Sequence, residues 1–186
     1  MILSIVFFLV LASCATPPTE EMNKARDAVT RAENDADAVS YAPNALIRAR
    51  DALTRMQSES DAKRYDAAKK LAGEAYDNAE RAIADGRSAA ERARMEAVAL
   101  INGLEGPLSE TADNLDKAKE VEGIQLDFAV LSKDMASAYG TYNDAKASIQ
   151  AHNYNDAIVQ GETVRSILAS INGRLTGGAV VASRKQ

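Results

Sequence analysis

From Met22 to Ile171 apolar and small residues return three and four positions apart, so the chain can shield them from water only as helices packed on helices. Met22, Ala25, Val29, Ala32, Ala36 and Val39 form a first stripe, and Leu46, Ala49, Leu53 and Met56 a second. Tyr65, Ala68, Ala72, Ala75, Ala79 and Ala82 begin a longer one, which Gly86, Ala89, Ala93, Ala97 and Leu100 continue. Leu131, Met135, Ala138, Tyr142, Ala145 and Ile149 repeat the rhythm, as do Tyr154, Ala157, Gly161, Val164, Leu168 and Ile171. The expected class is all-α: elongated antiparallel helical hairpins or a bundle, with coiled-coil-like, alanine-rich seams. Alanine lets backbones approach closely but buries little area per residue, so a hairpin with such a seam needs further cover.

Turn-forming residues divide the stripes. Pro43 cannot sit in a helix interior without losing a hydrogen bond, so Ser40-Tyr41-Ala42-Pro43 predicts a break, with Ser40 capping a new helix and Pro43 in its first turn. Asp61 is the expected N-cap of the longest helix, running to about Leu100 and stopped by Asn102-Gly103 and Gly106-Pro107. A weaker helical stretch follows around 109–120, then Gly123, then a helix from about Gln125 to Ala151. His152-Asn153 reads as a short turn, and Gly173 with Gly177-Gly178 as the end of the last helix. The resulting segments are 1–13, a 14–19 linker, a first long hairpin over 20–103, a second over 104–176, and a loose tail over 177–186.

The chain also echoes itself. The six stripe positions from Tyr65 to Ala82 lie 89 residues before those from Tyr154 to Ile171, and each set follows a polar turn and a striped helix. An aromatic three positions before a small residue at such a helix start is similar to tetratricopeptide repeats, although the period is far from that family's and its Trp-containing pattern is absent.

Charge narrows the function classes. A net charge of −5, with both signs interspersed, is not the balance of a nucleic-acid coat, so no nucleic-acid partner is expected. There is no Gly-rich phosphate loop and no His-Glu-x-x-His, and the single histidine, His152, falls in a turn. Glu33, Asp35 and Asp37 alternate as calcium-loop ligands do, but Ala38 stands where that loop needs glycine. No catalytic residue, metal or cofactor is expected. Tyr65, Tyr142 and Tyr154 fall on the stripes and are expected in the core, whereas Tyr41, Tyr76 and Tyr139 are the candidates for contact with a partner.

Near the start, the apolar run Ile2–Val10 leads into Leu11-Ala12-Ser13-Cys14 and then the kinked Ala15-Thr16-Pro17-Pro18-Thr19. That order resembles a secretory leader ending in the lipobox of bacterial lipoproteins, although no Lys or Arg precedes the run. The resemblance implies cleavage before Cys14, a lipid on its thiol and acylation of its new amine. Cys14 is the only cysteine of the chain, which leaves no disulfide framework. Ala15 is not the aspartate of an inner-membrane retention signal, which favours the outer membrane, facing the periplasm. The lipobox, the alanine-striped helix, Tyr41-Ala42-Pro43 with Leu46 and Ala49, and Arg64-Tyr65-Asp66-Ala67-Ala68 with Leu71, Ala72 and Ala75 together resemble a family of alanine-rich envelope lipoproteins known as a domain of unknown function. That resemblance spans roughly 14–95 and implies an envelope location and a helical fold, with no activity to transfer.

The functional expectation is a lipid-anchored, non-catalytic structural or adaptor element, attached to a membrane through Cys14 and engaging a protein or the cell wall. Self-association is open to a chain with so thin an alanine seam. One alternative is a tetratricopeptide-like module that binds a peptide or small ligand. The other is a wall-linked spacer, since Lys185 near the end faintly resembles the terminal lysine of lipoproteins joined to peptidoglycan.

Overall fold

A computed structural model of the chain describes residues 16–122 and 124–183, with side chains as far as Val180. The described residues form six helices and no strand: α1 Thr19–Asn34, α2 Ala36–Tyr41, α3 Pro43–Asp61, α4 Tyr65–Glu120, α5 Phe128–Gln150 and α6 Tyr154–Ser183. The fold is all-α, as the spacing requires. Residues up to Ser88 pack as one compact unit and those from Ala89 onward as a second, so the division falls inside α4.

In the first unit the chain doubles back twice. Asp35 interrupts the first stripe: its side chain accepts from the Ala38 backbone N–H at 2.8 Å and caps α2. The break resets the helical phase, so Ala38 and Ala42 are buried, while Ala36 and Val39, expected on the stripe, are exposed. Pro43 opens α3 as its first residue, as expected, but the preceding cap residue is Ala42 without a side-chain bond; Ser40 lies within α2. The stretch before the α3–α4 turn is therefore α1 and α3, antiparallel and joined through the short α2. Arg26 donates to the Gln57 side-chain oxygen and Arg50 to Glu33 at 2.6 Å, partners whose numbers run in opposite directions. Glu21 with Lys69 at 2.6 Å and Arg31 with Glu80 at 2.5 Å rise in number together, so α1 runs parallel to the start of α4. Exposed pairs of this kind contribute little to stability and report the register more than they hold it.

What fills this up-down-up unit is mostly alanine. Of the seventeen buried residues in its core, twelve are Ala, with Met22, Val29, Leu46, Met56 and Leu71 supplying the larger side chains. Such a core depends on backbones lying close together, and the closest approach is at Gly86. A Cβ there would lie 2.6 Å from the Ala38 nitrogen and 2.7 Å from its Cα.

The second unit is also three helices, from 89–120 of α4, α5 and α6. Ser148 and Gln160 are bonded at 2.9 Å and Asp134 and Arg174 at 3.4 Å, which sets α5 and α6 antiparallel. Asn172 donates to Thr111 at 2.9 Å, and the site of a Gly161 Cβ lies against Leu100 and Ile101, which sets α6 parallel to α4. Here only two of twelve buried core residues are Ala; Ile101, Leu104, Leu108, Leu131, Leu168 and Ile171 carry most of the packing.

Four expected stops are not stops. Helix α4 continues through Asn102-Gly103 and Gly106-Pro107 to Glu120, and α6 through Gly173 and Gly177-Gly178 to Ser183, so 179–183 are helical rather than loose. The reason is packing: Ile101, Leu104, Leu108, Thr111 and Leu115 form a buried stripe that spans Pro107, while Gly103, Gly106 and Pro107 face outward. In α6 the stripe runs on through Leu175 to Gly178, where a Cβ would lie 2.8 Å from Leu126. Tertiary burial outweighs the local preference of Gly and Pro in both helices. Lys185 and Gln186 lie outside the described residues.

The 89-residue echo extends to the backbone. In the α3–α4 turn, Lys63 N–H donates to Ser60 and Arg64 N–H to Glu59, at 2.9 Å each. In the α5–α6 turn, His152 N–H donates to Ile149 at 3.1 Å and Asn153 N–H to Ser148 at 2.8 Å. This pair of bonds closes a helix through one left-handed residue, and Lys63 and His152 take that place with φ of 56° and 62°. Asp61, the expected cap of the next helix, is the last residue of α3.

Candidate functional site

Of the residues singled out in the sequence, Leu11, Ala12, Ser13 and Cys14 lie outside the described residues. The chain is described from Thr16, and its first residues settle at one end of the first unit. Thr16, Pro18 and Glu21 share an open depression of about 400 Å³ with Tyr65, Asp66 and Lys69 at the start of α4. The Lys69 ammonium hydrogen-bonds Glu21 and holds its carboxyl below the usual carboxylate range; the same contact raises Lys69. Next to it, Arg64 forks onto Glu59 across the α3–α4 turn, with Nη2 2.9 Å from Oε1, and lowers the Glu59 carboxyl. Both pairs are solvent-exposed and serve to tie the entering chain and the turn to the helices beside them.

The tyrosines divide as follows. Tyr154 is buried, whereas Tyr65 and Tyr142 are only half-buried, with Lys146 over the Tyr142 ring at 5.4 Å. Tyr76 and Tyr139 are about two-fifths exposed and Tyr41 is half-buried. Tyr41 and Tyr76 belong to the first unit and Tyr139 to the second. Tyr76 lines a shallow depression of about 370 Å³ with Glu21, Lys24, Ala72 and Gly73, open to solvent.

His152 sits in its expected turn, where its Nδ1 and the Tyr154 hydroxyl share a hydrogen bond at 2.8 Å. The acidic run resolves into separate local roles: Glu33 pairs with Arg50 and Asp35 caps α2. Among the described residues no three His, Cys, Asp or Glu side chains are grouped to hold a metal, and no helix is long and apolar enough to cross a membrane. The bonded pair Thr111–Asn172 was not anticipated. Thr111 is the one polar side chain in the buried stripe of α4, and its phase with Leu108 and Leu115 was the available signal.

The architecture is thus that of an all-α protein with two three-helix units and salt-bridged, solvated faces. Residues 20–98 match a domain of unknown function (DUF4398), a segment that takes in α1, α2, α3 and the first part of α4. No curated protein and no solved structure matches the chain.

Proposed function

We propose that the chain is a lipid-anchored envelope protein that acts as a non-catalytic structural or adaptor element in the periplasm, held to the outer membrane through Cys14. The observation that carries this reading is the run Leu11-Ala12-Ser13-Cys14 after an apolar stretch, with the lone cysteine of the chain at its end. The match of 20–98 to a domain of unknown function agrees with the family resemblance read in the sequence and adds no activity. A single acyl chain binds a bilayer marginally, while the two or three on a processed bacterial lipoprotein anchor it stably. Recognition then belongs to the helical units, with Tyr41, Tyr76 and Tyr139 as first candidates for contact with a protein or the cell wall.

The test is metabolic labelling with a fatty acid, comparing the wild type with Cys14→Ala, followed by membrane fractionation and crosslinking. Label and membrane association lost in the variant, with one reproducible crosslinked neighbour of the wild type, would support the reading. Label retained in Cys14→Ala would remove the anchor from it.

A further inference from the structure

If Cys14 carries the lipid, only Ala15 separates the anchored residue from Thr16. At about 3.5 Å per extended residue, Thr16 then lies within about 7 Å of the anchored backbone. Thr16 and Pro18 lie beside Tyr65, Asp66 and Lys69, and the α3–α4 turn, Ala62 to Arg64, is joined directly to Tyr65. The tether is too short to let this end of the first unit leave the bilayer. We infer that the α3–α4 turn rests on the phospholipid headgroups of the membrane that holds the acyl chains, with Lys63 at the contact, while the opposite end of the unit, from Asn34 to Pro43, points away. The inference rests on the lipid-anchor reading and goes beyond it by naming the face that meets the bilayer.

Two further observations agree with it. Lys63 occupies a left-handed position that disfavours any residue with a Cβ, and its side chain is exposed. Its counterpart His152 is held locally by the Tyr154 hydroxyl, whereas Lys63 is exposed in its turn. Pairing also singles Lys63 out. Arg64, Lys69 and Lys70 pair with Glu59, Glu21 and Glu74, and Asp61 and Asp66 also lie near the turn, so the attraction to phosphate is local to Lys63 rather than that of a basic patch. Helix α1 alone spans about 24 Å at 1.5 Å per residue, which is far enough for a headgroup-bound quencher that acts only on contact to tell the two ends apart.

The experiment uses the full acylated chain in vesicles of phosphatidylethanolamine and phosphatidylglycerol containing a headgroup-linked quencher. With the Cys14 thiol blocked by lipid, a cysteine introduced by Ala62→Cys or Val39→Cys is the one site open to a fluorophore; both positions are exposed. Several-fold stronger quenching at 62 than at 39 is expected, and Lys63→Glu in the Ala62→Cys background should weaken it. Intact mass on the same samples reports the acyl groups, and circular dichroism reports the fold. Equal quenching at the two sites, or stronger quenching at 39, on protein that carries the acyl mass overturns the inference and leaves the anchor standing. Absence of acyl mass from Cys14 removes the anchor reading, and the inference with it.

Discussion

Replacing Gly86 by alanine tests whether the first unit is held by close backbone approach. In an ordinary exposed helix interior, Gly→Ala stabilises by about 1 kcal/mol, and Gly73, with no atom near the site of its Cβ, should show this gain. At Gly86 the added methyl would meet backbone rather than a movable side-chain end, at 2.6 Å from the Ala38 nitrogen and 2.7 Å from the Asp37 carbonyl carbon. Normal contact requires about 3.4 Å or more, so α2 must retreat by on the order of 0.8 Å against the close packing of the interior. Overpacking of this kind costs about 1–3 kcal/mol. The Ala38 N–H that must move is also the one bonded by the Asp35 cap, and loss of such a cap costs about 1 kcal/mol more. The net expectation is a loss of about 1–3 kcal/mol for Gly86→Ala, set against a gain for Gly73→Ala. For a unit of this size each kcal/mol shifts the midpoint by about 4–8 °C. Thermal and urea unfolding followed by circular dichroism at 222 nm would measure both, with amide exchange in α2 showing where the loss falls. A Gly86→Ala protein as stable as Gly73→Ala would refute the close-approach account.

Three other outcomes follow from the structure. Lys63→Gly should stabilise the fold by about 1 kcal/mol because it relieves a left-handed residue, whereas Lys63→Ala should leave it nearly unchanged; urea midpoints separate the two. Pro107→Ala should stabilise by about 1–3 kcal/mol by restoring the hydrogen bond to the Gly103 carbonyl, and amides just after 103 should then exchange more slowly. Because Glu21 and Glu59 titrate below the usual carboxylate range when folded, their contribution is complete above the unfolded carboxylate pKa and is lost as pH falls through the lowered folded values. Acid titration of helicity should therefore show a loss confined to that acid window and reduced by salt, since both pairs are exposed.

The helical class and the two matched turns were legible in the sequence because spacing reports which face is buried. Tyr65 to Ala82 and Tyr154 to Ile171 proved to sit behind turns with the same backbone bonds. Local residue chemistry was the poorer guide to where helices stop. Gly103, Gly106 and Pro107 read as punctuation, yet Ile101, Leu104 and Leu108 bury enough on the other face to carry α4 across them. Gly178 read as an ending and is instead the small seam residue opposite Leu126. In the other direction, Asp35 read as one of three alternating acids and is the cap that separates α2 from α1. The lipobox, by contrast, is legible only as a sequence, since Leu11 to Cys14 lie outside the described residues.

The alanine content of the first core also bears on how the protein responds to temperature. Heat capacity of unfolding follows the apolar area released to water, and a methyl group releases far less than an isobutyl group. A unit filled by Ala25, Ala32, Ala49, Ala75 and Ala79 therefore gives a flatter stability curve than its length implies, with a smaller denaturant slope. Cooling therefore weakens such a body less than it would a leucine-rich core of the same length.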